Sequence, residues 1–206
     1  MRLVVSVLFL IFLQVSVNAQ RRDEQVVTKQ CSVIRELVFT AATAKFEPIK
    51  LDQVRGSSGH QVQGSWQFST TRYNAEISWE GADISYLEHS EESTDSTRQE
   101  TWQYIAEYSH VPDVLEASKI FTKLNDEIEG CPYPLNDSTD LSFVPLPPER
   151  LPADRPAALQ VAKLYELPLS SNSADSANGA IMVMVGLEKR AKDYRVSLIV
   201  ENQQIW

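Results

Sequence analysis

The sequence has few histidines, few cysteines and no excess of basic residues. Its 206 residues include three His and two Cys, which are too few for a zinc module built on Cys and His ligands. There are 28 acidic and 19 basic side chains, a formal net charge of −9. A general nucleic-acid binder needs a basic face, so this balance argues against one. The length allows one or two domains.

Recognisable catalytic motifs are also missing. The chain contains no Gly-x-Ser-x-Gly nucleophile elbow and no Cys-x-x-Cys pair. The glycine-serine turn at 56–60 is not followed by Gly-Lys-Ser/Thr, so it is not a phosphate-binding Walker loop. The motifs therefore identify no active site and predict no cofactor.

The acidic stretch 89–95 is the one place where a metal site has to be considered. It holds His89, Glu91, Glu92 and Asp95, side chains that can ligate metals. Their spacing matches no established ligand pattern, and no EF-hand loop is present. We interpret residues 90–99 as a polar, mobile hairpin loop with solvated acids.

Residues 1–19 have the features of a signal peptide. Arg2 supplies a positive start, residues 3–13 are almost unbroken apolar, and Val17 and Ala19 suit cleavage before Gln20. The alternative is an uncleaved anchor, although the apolar run is about half of the ~20 residues that span a bilayer. We expect 20–206 to be a single exported domain, periplasmic or extracellular, without an integral membrane segment.

The two cysteines predict one disulfide bridge. Cys31 and Cys131 are an even pair in a chain expected to leave the cytoplasm. A closed loop of about 100 residues makes such a bridge worth about 4–5 kcal/mol in the chain-entropy model. The alternative is two free thiols with a redox role, which lacks the usual motif.

Two amphipathic helices are predicted from apolar side chains at steps of three and four. The first lies within 24–46, and the second runs from 114 to a stop at Gly130 and Pro132. Cys31 is near the start of the first apolar stripe, and Cys131 is at the end of the second. Because a disulfide needs close Cα atoms, bridged helices that lie side by side must be antiparallel.

The remaining sequence predicts an antiparallel sheet. The expected strands are 62–69, 72–79, 82–89, 101–109, 141–144, 157–167, 180–188 and 194–201. Loops are expected at 90–99, 145–156 and 169–179. The fold class is therefore α+β, with two layers, two antiparallel helices on one face of the sheet, and the element order helix-strands-helix-strands. That order suggests two halves, each a helix followed by a meander.

Aromatic side chains are concentrated in the strands of the first half. On the predicted strand 101–109, Trp102, Tyr104 and Tyr108 share one face, while the other face begins with Thr101 and Gln103. Exposed aromatics on a sheet can stack sugars or peptides, so these three are candidate ligand-facing residues. The alternative is that they pack across strands beneath the helices.

The two cysteines lie at the start of the first predicted helix and at the end of the second. Cys31 opens a helix that continues to the pair 41–42 and Phe46, and the second helix closes on Cys131-Pro132. This layout resembles small secreted α+β proteins of unknown function from Bacteroidota-type bacteria. The resemblance implies no activity and no site residues.

Three functions remain as hypotheses. The leading one is a non-catalytic exported domain that binds a protein, peptide or other ligand on the open face or edge of its sheet. A hydrolase-type enzyme would need a pocket that joins a His to a carboxylate or Ser. A carrier of small apolar ligands would need a cavity between helices and sheet. The acidic charge disfavours nucleic acid as a partner in all three.

Overall fold

The computed structural model describes residues 29–136, 139–142, 144–146, 159–167 and 180–205. The predicted signal peptide lies outside these residues. So do 169–179 and most of the predicted loop 145–156.

The described elements follow the predicted order of helix, strands, helix and strands. The helices are α1 (Lys29–Ala44) and α2 (Val114–Glu129). The first group of strands is β1 (Lys50–Gln53), β2 (Gly59–Gln63), β3 (Trp66–Ala75), β4 (Ile84–Ser93) and β5 (Arg98–Val111). The second group is β6 (Pro132–Asn136), β7 (Thr139–Ser142), β8 (Val144–Leu146), β9 (Leu159–Leu167), β10 (Ala180–Lys189) and β11 (Tyr194–Ile205).

Nine of these strands form one antiparallel sheet. Its order is β1-β3-β4-β5-β11-β10-β9-β8, and β2 pairs with β3 beside β1. The last strand of each meander, β5 and β11, meet at the centre, where Ala106 lies opposite Leu198. β6 and β7 form a separate two-stranded sheet. The predicted α+β class and antiparallel sheet are confirmed.

Both helices cover one face of the sheet. α1 buries Ile34, Leu37 and Val38, and α2 buries Leu124 and Ile128. α1 and α2 contact the central strands β10 and β11. The face of the sheet beneath them is apolar along these strands. Its fully or almost fully buried side chains include Tyr104, Val183, Val185, Leu198 and Val200.

The disulfide joins the first turn of α1 to the end of α2. Cys31 and Cys131 are bonded, with their Cα atoms 5.3 Å apart, and both are buried. α2 begins at Asp113, whose side chain accepts a hydrogen bond from the backbone N–H of Glu116 at 2.9 Å. The predicted bridge and the antiparallel helices are therefore confirmed.

Several strand boundaries differ from the prediction. The loop predicted at 90–99 is wrong, because β4 continues to Ser93 and β5 begins at Arg98. Only 94–97 form a turn, closed by a hydrogen bond from Thr94 N–H to Thr97 C=O at 2.8 Å. β3 runs through the break predicted at 70–71, and 76–79 is not a strand. Residues 70–71 and 90–93 lack an alternating apolar pattern, but they form strands because their backbones pair with neighbouring strands.

The sheet has an edge that the sequence did not reveal. β1 was not predicted, and only the last two residues of β2 fell in a predicted strand. Every residue of β2 is exposed. Among the described residues, neither helix is long and apolar enough to cross a membrane.

Candidate functional site

The aromatic side chains predicted to face a ligand lie mainly in the core. Trp102 is 6% exposed and Tyr104 is fully buried, both on the face that the helices cover. Burial raises the pKa of Tyr104 to about 12. These two residues follow the alternative of packing beneath the helices, which corrects their assignment as ligand-facing.

Tyr108 and Tyr104 are held by the loop 76–83, which crosses the same face. Tyr104 Oη donates to Ile77 C=O at 3.3 Å, and Tyr108 Oη donates to Glu80 C=O at 3.2 Å. Tyr108 is half-buried rather than presented to solvent. A cleft between this loop and the start of α1 has a volume of about 20 Å³. It admits about one water molecule, so it cannot hold an apolar ligand.

The opposite face of the sheet, which we call the outer face, combines cross-strand rows of polar side chains with one apolar row, which runs through Tyr86, Ile105, Ile199 and Met184. Directly paired residues on antiparallel strands point to the same side, so the register defines the rows. One row is Gln61, Phe68, Glu92 and Gln99. The adjacent row is Gly59, Thr70, Ser90, Thr101 and Gln203.

One end of the outer face carries a pair of aromatic rings. Trp66 and Phe68 are two residues apart on β3, with ring planes parallel within 2° and centroids 5.9 Å apart. Trp66 Nε1 donates to Glu92 Oε1 at 2.6 Å, which fixes the orientation of the indole. Both aromatic side chains are partly exposed. We call this region the aromatic end and define it by Gln61, Gln63, Trp66, Phe68, Glu92 and Gln99.

On either side of the apolar row, the outer face carries paired charges. Arg72 Nε donates to Glu88 Oε2 at 2.7 Å, and the Arg72 guanidinium lies 4.7 Å from the centroid of the Tyr86 ring. Tyr86 Oη donates to Glu107 Oε1 at 2.8 Å, and Arg195 Nη1 donates to the same oxygen at 3.2 Å. Burial, followed by the charge of Glu107, raises the pKa of Tyr86. The aromatic end differs from these rows because Glu92 is its only charged side chain.

A second cluster lies on the helix-covered face, beyond the end of α1. His89 stacks on Trp102 with ring centroids 4.2 Å apart. Glu100 Oε1 lies 3.2 Å from His89 Nε2 and accepts from Trp102 Nε1 at 2.9 Å, and its Oε2 accepts from Lys45 Nζ at 2.6 Å. His89 lies within β4, where the predicted strand 82–89 placed it, and Glu91 and Glu92 of the predicted loop lie on the same strand.

The groups around Glu100 favour its ionised form. Burial by itself would raise its pKa, but the hydrogen bonds from Lys45 and Trp102 and the nearby positive charge outweigh burial and lower it.

The same cluster brings together three groups that can ligate metals. The ligand atoms of His89, Glu91 and Glu100 lie within 4.8 Å of one another. Glu91 is directly opposite Glu100 in the register, an unfavourable arrangement for two carboxylates. Arg98 Nη2 lies 3.2 Å from Glu91 Oε1, and Lys45 holds Glu100. These two cations already balance the two carboxylates, so a divalent cation would have to compete with them.

The backbone at the end of α1 positions Lys45 over Glu100. Lys45 and Phe46 both have left-handed backbones, with φ of 46° and 63°. For residues other than glycine this conformation is unfavourable by about 1–2 kcal/mol each. Phe46 N–H donates to Thr40 C=O at 3.1 Å and its side chain is fully buried, which offsets the strain.

Hydrolytic chemistry at this cluster lacks a nucleophile. Within the described part of the chain, His89 hydrogen-bonds to Glu100 and to no Ser, Thr or Cys. The other two histidines lie elsewhere: His60 is on the exposed β2, opposite Ser69 of β3, and His110 Nδ1 lies 2.7 Å from Asp193 Oδ2. The His–carboxylate contact alone does not make an active site.

Comparison of the chain with protein families, curated proteins and solved structures finds no match. The functional assignment therefore rests on the described residues alone.

The aromatic end was not selected from the sequence, although a signal was present. Trp66 and Phe68 are two positions apart, the period that places side chains on one face of a strand. On β5, the set with Thr101 and Gln103 is more polar than the set with Trp102 and Tyr104. The more polar set marks the face away from the helices, and that face contains the Trp66–Phe68 pair.

Proposed function

We propose that this chain is an exported, non-catalytic binding domain whose ligand lies on the outer face of the sheet, at the aromatic end. The single observation that supports this best is the Trp66–Phe68 pair. Two large aromatic side chains remain partly exposed and parallel on the face opposite the helices, and the hydrogen bond to Glu92 fixes the Trp66 indole. Rigid aromatic groups of this kind contribute much of the energy at binding surfaces because little entropy is lost when they are covered.

Export is part of the proposal. It is supported by the signal-like pattern of residues 1–19 and by the Cys31–Cys131 bridge, which persists best in an oxidising compartment. The negative net charge supports a ligand other than nucleic acid or an anionic membrane.

Binding is favoured over the two alternatives by the described contacts. Among the described residues, His89 and Glu100 hydrogen-bond to no Ser, Thr or Cys, and the cleft beside α1 has room for about one water molecule. The aromatic end, in contrast, needs no further group to bind a ligand.

The test is site-specific photo-crosslinking of the full chain in the cells that make it. A benzoylphenylalanine is placed at position 68, and the matched control carries it at position 39, where Phe39 on α1 is 60% exposed. We expect a crosslinked species from position 68 and none from position 39. If position 68 yields no crosslink, or if both positions yield the same species, the aromatic end is not the binding surface.

A further inference from the structure

We infer that the ligand of the aromatic end is a carbohydrate, with a sugar ring on Trp66 and Phe68 and its hydroxyl groups bonded to the neighbouring amide side chains. This inference rests on the proposed function, because it names the class of ligand for that same site.

The apolar part of the site is a pair of partly exposed aromatic side chains. A pyranose presents faces of C–H groups, which pack on the faces of aromatic rings. Trp66 and Phe68 stack on each other on one side of β3, and the hydrogen bond from Trp66 Nε1 to Glu92 restricts rotation of the indole. A fixed, partly exposed ring loses little entropy when a ligand covers it.

The polar part of the site matches sugar hydroxyl groups. Gln61 and Gln63 are exposed on β2 beside the rings, and Gln99 follows Glu92 in the same row. An amide side chain both donates and accepts hydrogen bonds, as a hydroxyl group does, so the two are complementary in several orientations.

Charge separates a sugar from other ligand classes. Glu92 is the only charged group of the aromatic end, and its Oε1 already accepts from Trp66. A cationic peptide would need more acidic groups, and an anionic ligand would be repelled by Glu92 and by the net charge of the chain. A peptide added to the free edge of β2 would bind through backbone groups and would not require the Trp66 ring.

The experiment is isothermal titration calorimetry of the full chain with neutral oligosaccharides: cellohexaose, xylohexaose, mannohexaose, maltohexaose and N-acetylchitohexaose. We expect at least one to bind, with affinity reduced about tenfold or more by Trp66→Ala, a change of about 1.4 kcal/mol. Gln61→Ala should reduce it severalfold, and this exposed position keeps the test valid if Trp66→Ala does not fold. The matched control Phe39→Ala, an exposed aromatic on α1, should bind like the parent protein.

Two results would overturn the carbohydrate assignment. One is that no oligosaccharide of the panel binds, and the other is that Trp66→Ala and Gln61→Ala leave the affinity unchanged. The crosslinks at position 68 separate this failure from failure of the proposed function. If protease removes the crosslinked species and glycosidase does not, the ligand at the aromatic end is a protein. The proposed binding surface would then stand, and the carbohydrate assignment would be wrong. If no crosslink forms at position 68, both the proposed binding surface and the carbohydrate assignment are wrong.

Discussion

Removal of the Cys31–Cys131 bridge should destabilise the protein by several kcal/mol. The bridge closes a loop of 100 residues, which includes both helices and five strands. In the chain-entropy model a loop of this length contributes about 4–5 kcal/mol by restricting the unfolded chain. Because domains are typically stable by about 5–15 kcal/mol, the double variant Cys31→Ala/Cys131→Ala should remain folded with little reserve.

Equilibrium urea unfolding, followed by far-UV circular dichroism, measures this change. We expect the midpoint to fall and the dependence on urea to become steeper, because an unfolded chain without the bridge exposes more surface. The thermal midpoint should fall by roughly 10–20 °C for a chain of this size. The reduced parent protein is the control, since it loses the bridge but keeps both buried side chains. A loss below about 1 kcal/mol in both proteins would refute the loop-entropy reasoning.

Three further changes test the packing and the charges. Lys45→Met should lower the free energy of unfolding by about 1 kcal/mol at pH 7. The expected loss is small because Lys45 is partly exposed and solvent screens its ion pair with Glu100. Because the pKa of Glu100 is lowered by folding, that loss should disappear in urea melts as the pH falls through the folded pKa. Burial raises the pKa of Glu127 in the folded protein. At pH values above the pKa of this group in the unfolded chain, its charge therefore destabilises the folded state. Glu127→Gln should raise the thermal midpoint at pH 7 and leave it unchanged at pH 3. Leu198→Ala should cost about 2–5 kcal/mol in urea melts, and Ile199→Ala, on the outer face and partly exposed, should cost less.

The helices and their bridge could be predicted because their signals are local or covalent. The apolar positions of α2 recur every three or four residues and identify its buried side without reference to any other element. The cysteine positions then determine the relative direction of α1 and α2. Neither inference needs the order of the strands.

The strand ends could not be predicted because partners far along the chain determine them. Residues 90–93 of β4 contain no apolar side chain and are a strand because β5 pairs with them. At the end of β11, Asn202 is buried because its Nδ2 donates to Ala41 C=O of α1 at 2.6 Å. Local sequence contains neither contact.

The candidate site depends on the same non-local information. The alternation of β5 divides its side chains into two sets, but the pairing of Ala106 with Leu198 decides which set faces the helices. That pairing makes Trp102 and Tyr104 core residues and leaves the face with Trp66 and Phe68 opposite the helices.

The disulfide bridge constrains the first part of the chain during folding and leaves the last strands unconstrained. α1 from Cys31 onward, β1 to β5 and α2 lie between the two cysteines, whereas β6 to β11 lie beyond the second cysteine. The seam between β5 and β11 joins residues about 90 positions apart, and the bridge does not shorten that search. We expect docking of β11 to be the slow step of refolding. Until it is complete, a bridged first half exposes the edge of β5 and the apolar face around Tyr104, so the yield of oxidative refolding should fall steeply with protein concentration.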